Sequence, residues 1–600
     1  MRHLLALAIG AAAIVTPAAI YLAPASAQAV SEDAKFTAFT ERVVDDYLAL
    51  DPVSATQLGD HRFDNRLPDV SAAGRAAGKA FAERALAELA KFDRGRLSRE
   101  HQVDAILLKD QLDYLLFSND RLQDWAWNPT NYSGTAGSSL FTLQSREFAP
   151  VAERLRSAIG RLEALPNFLQ QARAALVPGR VPLIHAQTAA KQNPGLNSLI
   201  DGFVAQKGAL PAADQARLER AAAAAKLAVA DYQTWLDREL VPNARGNERL
   251  GAALYDEKLR LALNSSLSRE EIRVRAERGI ADLRAKMYTV AAGMIRSRAG
   301  APPAPANPTP EQQQAVIEAG MAIVNADPPR GGMIPEARLD MADATAFVRS
   351  HNIVGIPAGA SFNVIEMPEF ARGTAGAYAD MPGPFEKDQR GFYAVSPIPA
   401  DWTAEQKASY LREYNRWVMQ ELTLHEGMPG HLLQLAHSNQ YKSRIRAFFG
   451  SGPMVEGWAC YAQDVMADEG YLNRDPRYLL AHYKFQMRPP LNAILDQDFH
   501  VNGMTRDQAM ALMTRTAFQE EREAAGKWTR MQLSSAQLPV YWVGYQEWKD
   551  FRAAAEARPG FNLRRFHDAA LSHGSPPVRF IRALVLGEPI EGAPRPGERG

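Results

Sequence analysis

The sequence predicts a mainly α-helical fold in two lobes, with a deep cleft and a small β-sheet. Helical periodicity recurs through most of the chain, and strand patterns are confined to two short runs. The 600 residues, 46% of them hydrophobic, are enough for a large core. The single cysteine, Cys460, excludes an intramolecular disulfide, so burial must supply the stability. Lys and Arg together number 68, as do Asp and Glu, and this balance predicts no nucleic-acid partner.

The first residues predict a secretory signal peptide, residues 1–27. Arg2 precedes an apolar run that is interrupted at Pro17, and Ala25-Ser26-Ala27 is typical of a cleavage site. A membrane anchor is the alternative, although the apolar run is short and broken. We therefore expect cleavage after Ala27, a secreted or periplasmic mature protein, and no stable association with a membrane.

Residues 28–300 are predicted to form an N-terminal helical lobe. Its helical patterns cover residues 83–92, 151–175 and 215–240, and a long amphipathic helix starts at Ser268, where Glu271 completes a capping-box pattern.

Prolines are dense between residues 301 and 312, which excludes helix there and predicts a linker. The C-terminal lobe would then cover 313–600. Within it, residues 361–367 and 391–396 are β-prone runs flanked by Gly and Pro, and we expect them to form the small sheet.

The stretch "LTLHEGMPGHLLQ", residues 422–434, looks like the zinc-binding HExxH pattern with two residues added. A capping-box pattern at Thr403 predicts a helix that runs into it, with its buried stripe at Tyr410, Tyr414, Val418 and Leu422. On a helix, side chains four residues apart differ in direction by about 40°, whereas side chains six residues apart differ by about 240° beyond a full turn. An unbroken helix would therefore direct His425 and His431 to different faces. Pro429-Gly430 predicts a bulge that brings them back together.

Two acidic residues complete the candidate site. Glu426 is placed as in zinc proteases, to accept a proton from a water molecule that a metal ion activates. Glu456 follows His425 by 31 residues, within reach of an antiparallel helix, and with the two histidines would leave one metal position open. Cys460 and His437 are rival ligands, although a lone cysteine is commonly a packed hydrophobe. A His-Glu pair with a later His also occurs by chance.

Two motifs, "HEGMPGHLLQ" at 425–434 and "EGWACY" at 456–461, resemble the bacterial domain-of-unknown-function family 885 (DUF885). The similarity extends to residues 51–69, 250–263 and 561–577. That family is grouped with zinc metallopeptidases of the thermolysin-like superfamily.

The chain departs from the family's pattern at three places. Leu432 stands where the family commonly has a second histidine, and Gln463 where it commonly has an acid. The segment "SAQLPVY" keeps only Gln537 and Tyr541 of the family's usual Pro-Gly-Gln-Ala-Leu-Ser-Tyr. These changes put substrate preference in question more than metal binding.

The resemblance implies a two-lobed, metallopeptidase-like fold with the cleft and the sheet near the active site. It implies one zinc ion held by His425, His431 and Glu456, with Glu426 as general base. Tyr541 and His500 are candidate donors to the developing oxyanion, and each could equally be a core or surface residue. Weaker candidates are Arg530, His567 and His573, of which Arg530 could bind a substrate carboxylate or be a solvated surface group.

The function expected is therefore an exported zinc-dependent peptidase that hydrolyses short or unfolded peptides. Two alternatives remain: a metallohydrolase of another ester or amide bond, and a non-catalytic periplasmic binding protein that keeps the fold. We find no G-x-S-x-G nucleophile elbow, no complete phosphate-binding loop and no Cys-x-x-Cys pair in the sequence.

Overall fold

A computed structural model of the chain describes residues 31–265, 267–368, 372, 376–386 and 389–593. The fold is mainly helical with one small sheet, as the sequence predicts. The predicted signal peptide and its cleavage after Ala27 lie outside the described residues. No helix within the described ranges is both long and apolar enough to span a bilayer.

The first helices pack around a core that contains Phe36, Leu48 and Leu108. They are α1 (Glu32–Leu50), α2 (Pro52–Leu58), α3 (Ala72–Leu89) and α4 (Arg99–Phe117). The predicted helix at 83–92 is the last part of α3, which ends at Leu89.

A second core, which contains Leu140, Leu162 and Ile200, lies between the next helices. They are α5 (Pro129–Ser145), α6 (Val151–Ala175), α7 (Leu183–Gln192), α8 (Gly195–Ala205), α9 (Ala212–Trp235) and the short α10 (Val241–Asn243). The predicted helix at 151–175 is confirmed as α6. The prediction at 215–240 is confirmed as α9, which continues into a π-helical turn up to Leu240.

The third and largest core starts with four helices and continues to the C-terminal region. The four are α11 (Gly251–Leu263), α12 (Arg269–Ile295), α13 (Pro310–Asn325) and α14 (Met333–Ser350). The capping box of Ser268 and Glu271 is present at the start of α12. Helix α13 begins at Pro310, so the prediction of no helix at 301–312 is wrong for the last three residues, because proline is tolerated in the first turn of a helix. Helices α12 and α13 both contribute to this core. The core is thus continuous across that segment, and a lobe boundary at 301–312 stays a prediction.

The sheet has the strand order β1-β3-β2. Its strands are β1 (Phe362–Glu366), β2 (Ala377–Asp380) and β3 (Gly391–Val395), with β1 parallel and β2 antiparallel to β3. Both predicted strands are confirmed. Strand β2 was not predicted, because four residues that follow a Gly- and Ala-rich stretch carry too little alternation to distinguish a strand from a loop.

The remaining helices surround the sheet and the histidine motif. They are α15 (Ala404–Glu413), α16 (Arg416–Glu426), α17 (His431–Ser438), α18 (Arg444–Phe448), α19 (Gly452–Asp468), α20 (Pro476–Gln486), α21 (Arg488–His500), α22 (Arg506–Ala511), α23 (Glu521–Leu533), α24 (Pro539–Glu556), α25 (Leu563–Leu571) and α26 (Val578–Leu586).

The continuous helix predicted from Thr403 into the histidine motif is wrong. The Thr403 capping box is present, but the helix ends at Glu413 and a second helix begins at Arg416. Asn415 causes the new start, because its Oδ1 accepts hydrogen bonds from the backbone N–H groups of Trp417 and Val418. The hydrophobic stripe continues across the break, so periodicity alone could not reveal it.

An arginine from the N-terminal half holds the sheet. Arg146, which follows α5, donates from Nη1 to the carbonyl oxygen of Arg390 at 2.8 Å and forms a partly buried ion pair with Asp380 on β2. A charge-assisted pair of this kind fixes the position of the strand as well as stabilising it. The helices before residue 250 therefore help to place the strand nearest the histidine motif.

Two buried carboxyl groups lie beneath α16. Glu336 and Asp340 on α14 are both fully buried. Arg330 pairs with Glu336 at 2.7 Å, whereas Asp340 accepts a hydrogen bond from the Gln420 amide and lies 3.7 Å from Arg330 Nη2. Burial and the charge of Glu336 raise the pKa of Asp340 to about 9.

This pKa predicts how stability depends on pH. Between about pH 4, where an unfolded aspartate ionises, and pH 9, unfolding releases a proton from Asp340, so the free energy of unfolding falls as pH rises. Asp340→Asn removes this titration while keeping an oxygen acceptor for Gln420. We expect the Tm of the variant minus that of the wild type to increase steadily from about pH 5 to about pH 8.5.

Asp46→Asn, at an exposed position on α1, is the matched control, and its Tm difference should not change with pH. Thermal unfolding followed by circular dichroism measures both. A difference for Asp340→Asn that is constant or decreases with pH would contradict the assignment.

Candidate metal centre

His425 and His431 are brought together by a break between two helices. Helix α16 ends at Glu426, residues 427–430 leave the helical path with a cis Met428–Pro429 peptide, and α17 begins at His431. The two imidazole rings then lie 4.7 Å apart between centroids, at 81° to each other. The predicted convergence is confirmed, but the predicted bulge within one helix is wrong, because the chain starts a new helix instead.

The break depends on a close approach of two backbone segments. A Cβ on Gly430 would lie 1.9 Å from the carbonyl oxygen of His425, so only glycine fits there. Trp458 on α19 holds the other side of the turn, because its Nε1 donates to the carbonyl oxygen of Pro429 at 2.9 Å. The Pro-Gly pair is thus fixed from both sides.

Glu456, also on α19, completes a cluster of three potential metal ligands. Its Oε2 lies 3.6 Å from Nε2 of His425 and 3.2 Å from Nε2 of His431. One ligand atom from each residue lies within 4.8 Å of the others. Ligand atoms about 2.0 to 2.2 Å from one tetrahedral zinc ion would be separated by about 3.3 to 3.6 Å. The three side chains therefore fit one ion of that size.

Two further features of Glu456 suit a cation. Its Oε2 is buried and accepts no hydrogen bond from the described residues. Burial raises the pKa of this carboxyl, but the imidazoles of His431 and His425, when they are protonated, outweigh burial and hold the pKa below its usual range. The side chain remains 20% exposed, so the cluster is not sealed from solvent.

A glutamine orients His425. Nδ1 of His425 lies 3.3 Å from Oε1 of Gln463. Nε2 of Gln463 donates to the backbone oxygen of Glu421 at 3.1 Å and to Oε2 of Glu421 at 2.7 Å. Because the amide nitrogen is committed to Glu421, the amide oxygen must face the imidazole. His425 Nδ1 is then the donor, which leaves the lone pair of Nε2 directed at Glu456.

A buried ion pair supports Glu421 in turn. Nδ1 of His482 lies 3.1 Å from Glu421, and Nε2 of His482 lies 3.2 Å from Asp464. Burial disfavours a charge on this imidazole, but the two carboxylates outweigh it and raise the pKa of His482 to about 10. His482 is therefore a cation at neutral pH, and it neutralises an acid that lies behind the metal ligands.

Glu426 lies beside the cluster at the end of α16. Its Oε2 accepts a hydrogen bond of 3.0 Å from the backbone N–H of Ala379 on β2. Burial and the charge of Glu456 raise the pKa of Glu426 to about 7, against the opposing effects of His425 and this hydrogen bond. The edge of the sheet thus fixes the carboxylate that sequence analysis assigns as the base.

Tyr541 on α24 is also brought to the cluster. Its ring lies 6.3 Å from the ring of His425, nearly parallel to it. Arg530 donates from Nη2 to the Tyr541 hydroxyl at 3.1 Å and to Oε1 of Gln537 at 2.8 Å. Arg530 is thus partly buried beside the site, and the alternative of a solvated surface group does not describe it.

The other candidates make their contacts elsewhere. His500 donates from Nε2 to the carbonyl oxygen of Ser534 at 2.8 Å, and burial lowers its pKa to about 4. Nε2 of His437 lies 2.7 Å from the carbonyl oxygen of Gly355.

Three weaker candidates are similarly engaged. Cys460 is buried in the third core. His567 contacts the Tyr461 hydroxyl at 2.8 Å, and His573 pairs with Glu100 at 3.1 Å.

Sequence reasoning missed three contributors to the site. Glu421 precedes His425 by four residues, so helical spacing could have placed it near the same face. The backbone of Ala379 and the imidazole of His482 carry no such signal, because the first depends on an unpredicted strand and the second on how α20 packs against α16.

Comparison with known proteins places this geometry in context. A family model described as "Bacterial protein of unknown function (DUF885)" matches residues 52–585. No curated protein matches the chain.

Two solved structures are similar over nearly their whole length. One, described as a putative lipoprotein of unknown function from Shewanella oneidensis, is 31% identical with a TM-score of 0.77, covering 92% of this chain and 99% of that one. The other, described as the putative lipoprotein from Colwellia psychrerythraea, is 15% identical with a TM-score of 0.74, covering 93% of this chain and 99% of that one. At 15% identity, the second likeness shows the fold alone.

The contact at Gly430 predicts a large effect of one methyl group. Gly430→Ala places a Cβ against a backbone oxygen that cannot move away without displacing α16, so we expect a loss of about 3 kcal/mol in the free energy of unfolding. Urea denaturation measures it.

Gly134→Ala is the matched control, because a Cβ at this exposed position in α5 meets nothing within 4 Å. It should change the free energy of unfolding by no more than about 1 kcal/mol, and in the stabilising direction. Equal stability of the two variants would mean that the turn is not packed as described.

Proposed function

The chain belongs to the DUF885 family, and we propose that it is an exported zinc-dependent peptidase that hydrolyses short or unfolded peptides. The observation that carries the proposal is the convergence of His425, His431 and Glu456, with Glu426 directly beside them.

The donor set supports zinc. Two imidazoles and one carboxylate, with a fourth position left for water or substrate, are typical of catalytic zinc, whereas structural sites supply four protein ligands. When bound there, zinc would lower the pKa of a coordinated water molecule towards 7 and polarise a substrate carbonyl. Gln463 would hold His425 in the tautomer that presents Nε2 as a ligand.

Glu426 would act as the general base and then as the acid. It would accept a proton from the attacking water and return it to the leaving amine, while the Ala379 N–H keeps its carboxylate in place. A general base must lie close to the reacting water, and the electrostatic effects of His425 and Glu456 on the Glu426 carboxyl support a position near the candidate ligands.

Tyr541 would donate its hydroxyl proton in a hydrogen bond to the developing oxyanion. The hydroxyl is oriented by Arg530 and lies on the same side as His425, so it is held before the reaction begins. We assign no such role to His500, because its Nε2 is committed to the carbonyl oxygen of Ser534.

An extended peptide could pair with the edge of the sheet. The N–H of Ala379 on edge strand β2 already donates to Glu426, so pairing there would be confined to the rest of the strand. Other ester or amide bonds remain alternative substrates of the same machinery, and a non-catalytic binding protein is the alternative to any enzyme. We propose no nucleic-acid partner.

An envelope location fits the proposal. The predicted signal peptide implies export, and the similar protein from Shewanella oneidensis is described as a putative lipoprotein, a class of protein found in the cell envelope. We therefore propose a secreted or periplasmic mature protein, and fractionation of cells that express the full chain tests this directly.

Metal analysis tests the ligand set. We expect about one zinc per chain in protein purified without chelating resin, and loss of most of it in His431→Ala, because two ligands hold zinc far more weakly than three. His437→Ala is the matched control, since its imidazole contacts Gly355 instead, and it should keep the metal. Elemental analysis measures both, and metal-free wild-type protein that takes up no added zinc would leave the binding-protein alternative.

Activity separates the enzyme from a metal-binding protein. Glu426→Gln should keep zinc and lose about 10²-fold or more of the rate of hydrolysis, because the base is removed while the ligands stay. Peptide, ester and non-peptide amide substrates assayed side by side distinguish the peptidase from the other metallohydrolases. If Glu426→Gln hydrolysed peptides at the wild-type rate, the mechanism would be wrong.

The glutamine behind His425 makes a separate prediction. Gln463→Leu removes the acceptor for Nδ1, and we expect zinc affinity to fall about 10- to 100-fold. Gln463→Glu restores an acceptor and should recover most of that affinity. Competition with a zinc chelator measures the dissociation constants, and unchanged affinity in Gln463→Leu would exclude the orienting role.

A further inference from the structure

Two cationic side chains on α23 lack a carboxylate partner. Lys527 and Arg530 are three residues apart, so they lie on one face of the helix. Within the described residues, neither forms an ion pair. Lys527 donates to Oδ1 of Asn492 at 2.9 Å, and Arg530 donates to the neutral Gln537 and Tyr541.

Two of the acids near this pair are committed to other cations. Glu413 pairs with Lys484 at 2.9 Å and with Arg488 at 2.6 Å. Glu523 accepts a hydrogen bond from the Tyr414 hydroxyl at 3.0 Å and lies 3.7 Å from Arg488. Glu456 and Glu426 also attract Arg530, but neither forms an ion pair with it among the described residues.

Lys527 is held where a charge is costly. It is only 9% exposed, and burial together with the charge of Arg488 lowers its pKa to about 7. An unpaired ammonium in such a place destabilises the fold unless something offsets it. A bound anion would supply that compensation to both cations.

The position of the pair identifies the kind of anion. Arg530 contacts the hydroxyl of Tyr541, and the ring of Tyr541 faces the imidazole of His425. One tyrosine side chain thus separates the guanidinium from the metal ligands. The guanidinium carbon lies 5.9 Å from the centroid of the Tyr541 ring, which lies 6.3 Å from the centroid of the His425 ring. This span corresponds to at most about three residues of extended peptide, each about 3.5 Å long.

We infer that Arg530 and Lys527 form a subsite for the C-terminal carboxylate of the substrate. This inference rests on the proposed peptidase function and deepens it. The guanidinium offers a planar pair of donors that matches a carboxylate, and Lys527 adds a further donor whose charged form a bound carboxylate would stabilise. The substrates are then peptides with a free C-terminus, cleaved within about three residues of their end.

Binding of a matched pair of peptides tests the subsite without turnover. The ligands are N-acetyl-trialanine and its C-terminal amide, titrated calorimetrically into the zinc-supplemented full chain carrying Glu426→Gln. We expect the free acid to bind at least about tenfold more tightly than the amide. In Arg530→Gln the ratio should fall towards one, and in Lys527→Gln it should fall in part.

Two further variants control for folding and for general charge. Arg530→Lys keeps the positive charge and should retain part of the preference, whereas Arg84→Gln, at an exposed position on α3, should retain all of it. A peptide amide that ends in aspartate distinguishes a side-chain carboxylate from the terminal one, and we expect it to bind less tightly than the free acid. Thermal unfolding confirms that each variant is folded.

The outcomes separate this inference from the proposed function. Equal binding of acid and amide, no binding of either, or a preference that survives Arg530→Gln would overturn the subsite. If the wild type hydrolysed the free-acid peptide and its amide at equal rates, and Glu426→Gln lost both activities, the peptidase would stand without the subsite. A carboxylate preference lost in Arg530→Gln, with no hydrolysis of any peptide, would keep the subsite and reject the peptidase.

Discussion

The four-residue break between α16 and α17 is the constraint on which the rest of the site depends. A continuous helix would direct His425 and His431 to different faces, and no neighbouring element could then bring them to one ion. The break is stable because Gly430 allows the backbone to touch the end of α16 and because Trp458 binds the Pro429 carbonyl. Trp458 and Glu456 are on the same helix, so one packed element fixes the turn and supplies the third ligand.

A second backbone contact positions the other side of the site. A Cβ on Gly457 would lie 2.3 Å from the carbonyl carbon of Gly544, so α19 and α24 touch without intervening side chains. Any larger residue would push the helices apart and move Tyr541 away from His425. The ligand Glu456 and the hydroxyl of Tyr541 are thus related by packing of main chains, which deforms less than packing of long side chains.

Much of this could be predicted from local sequence, and the rest depends on contacts between distant segments. Helix α6, the capping box of α12 and two strands follow from periodicity and caps, and the convergence of His425, His431 and Glu456 follows from motif spacing. The start of a new helix at Asn415 was hidden because the hydrophobic stripe continues across it.

Distant contacts account for what local sequence could not predict. The role of β2 depends on one backbone N–H that meets Glu426, and the environment of Lys527 depends on Asn492 from another helix. Neither partner leaves a pattern near the residue it affects.

Gln463 carries no charge, so the surroundings of His425 are less negative than they would be with an acid at that position. An acid at this position would place a negative charge in contact with Nδ1 of His425. In this chain the acid on that side of His425 is Glu421, which contacts Gln463 and is neutralised by His482. Apart from the ligand Glu456, Glu426 then remains the acid beside the reacting region, opposed by Arg530 and Lys527. The surroundings of the candidate ligands are therefore less negative than they would be with an acid at position 463, and an anionic group would meet less repulsion there.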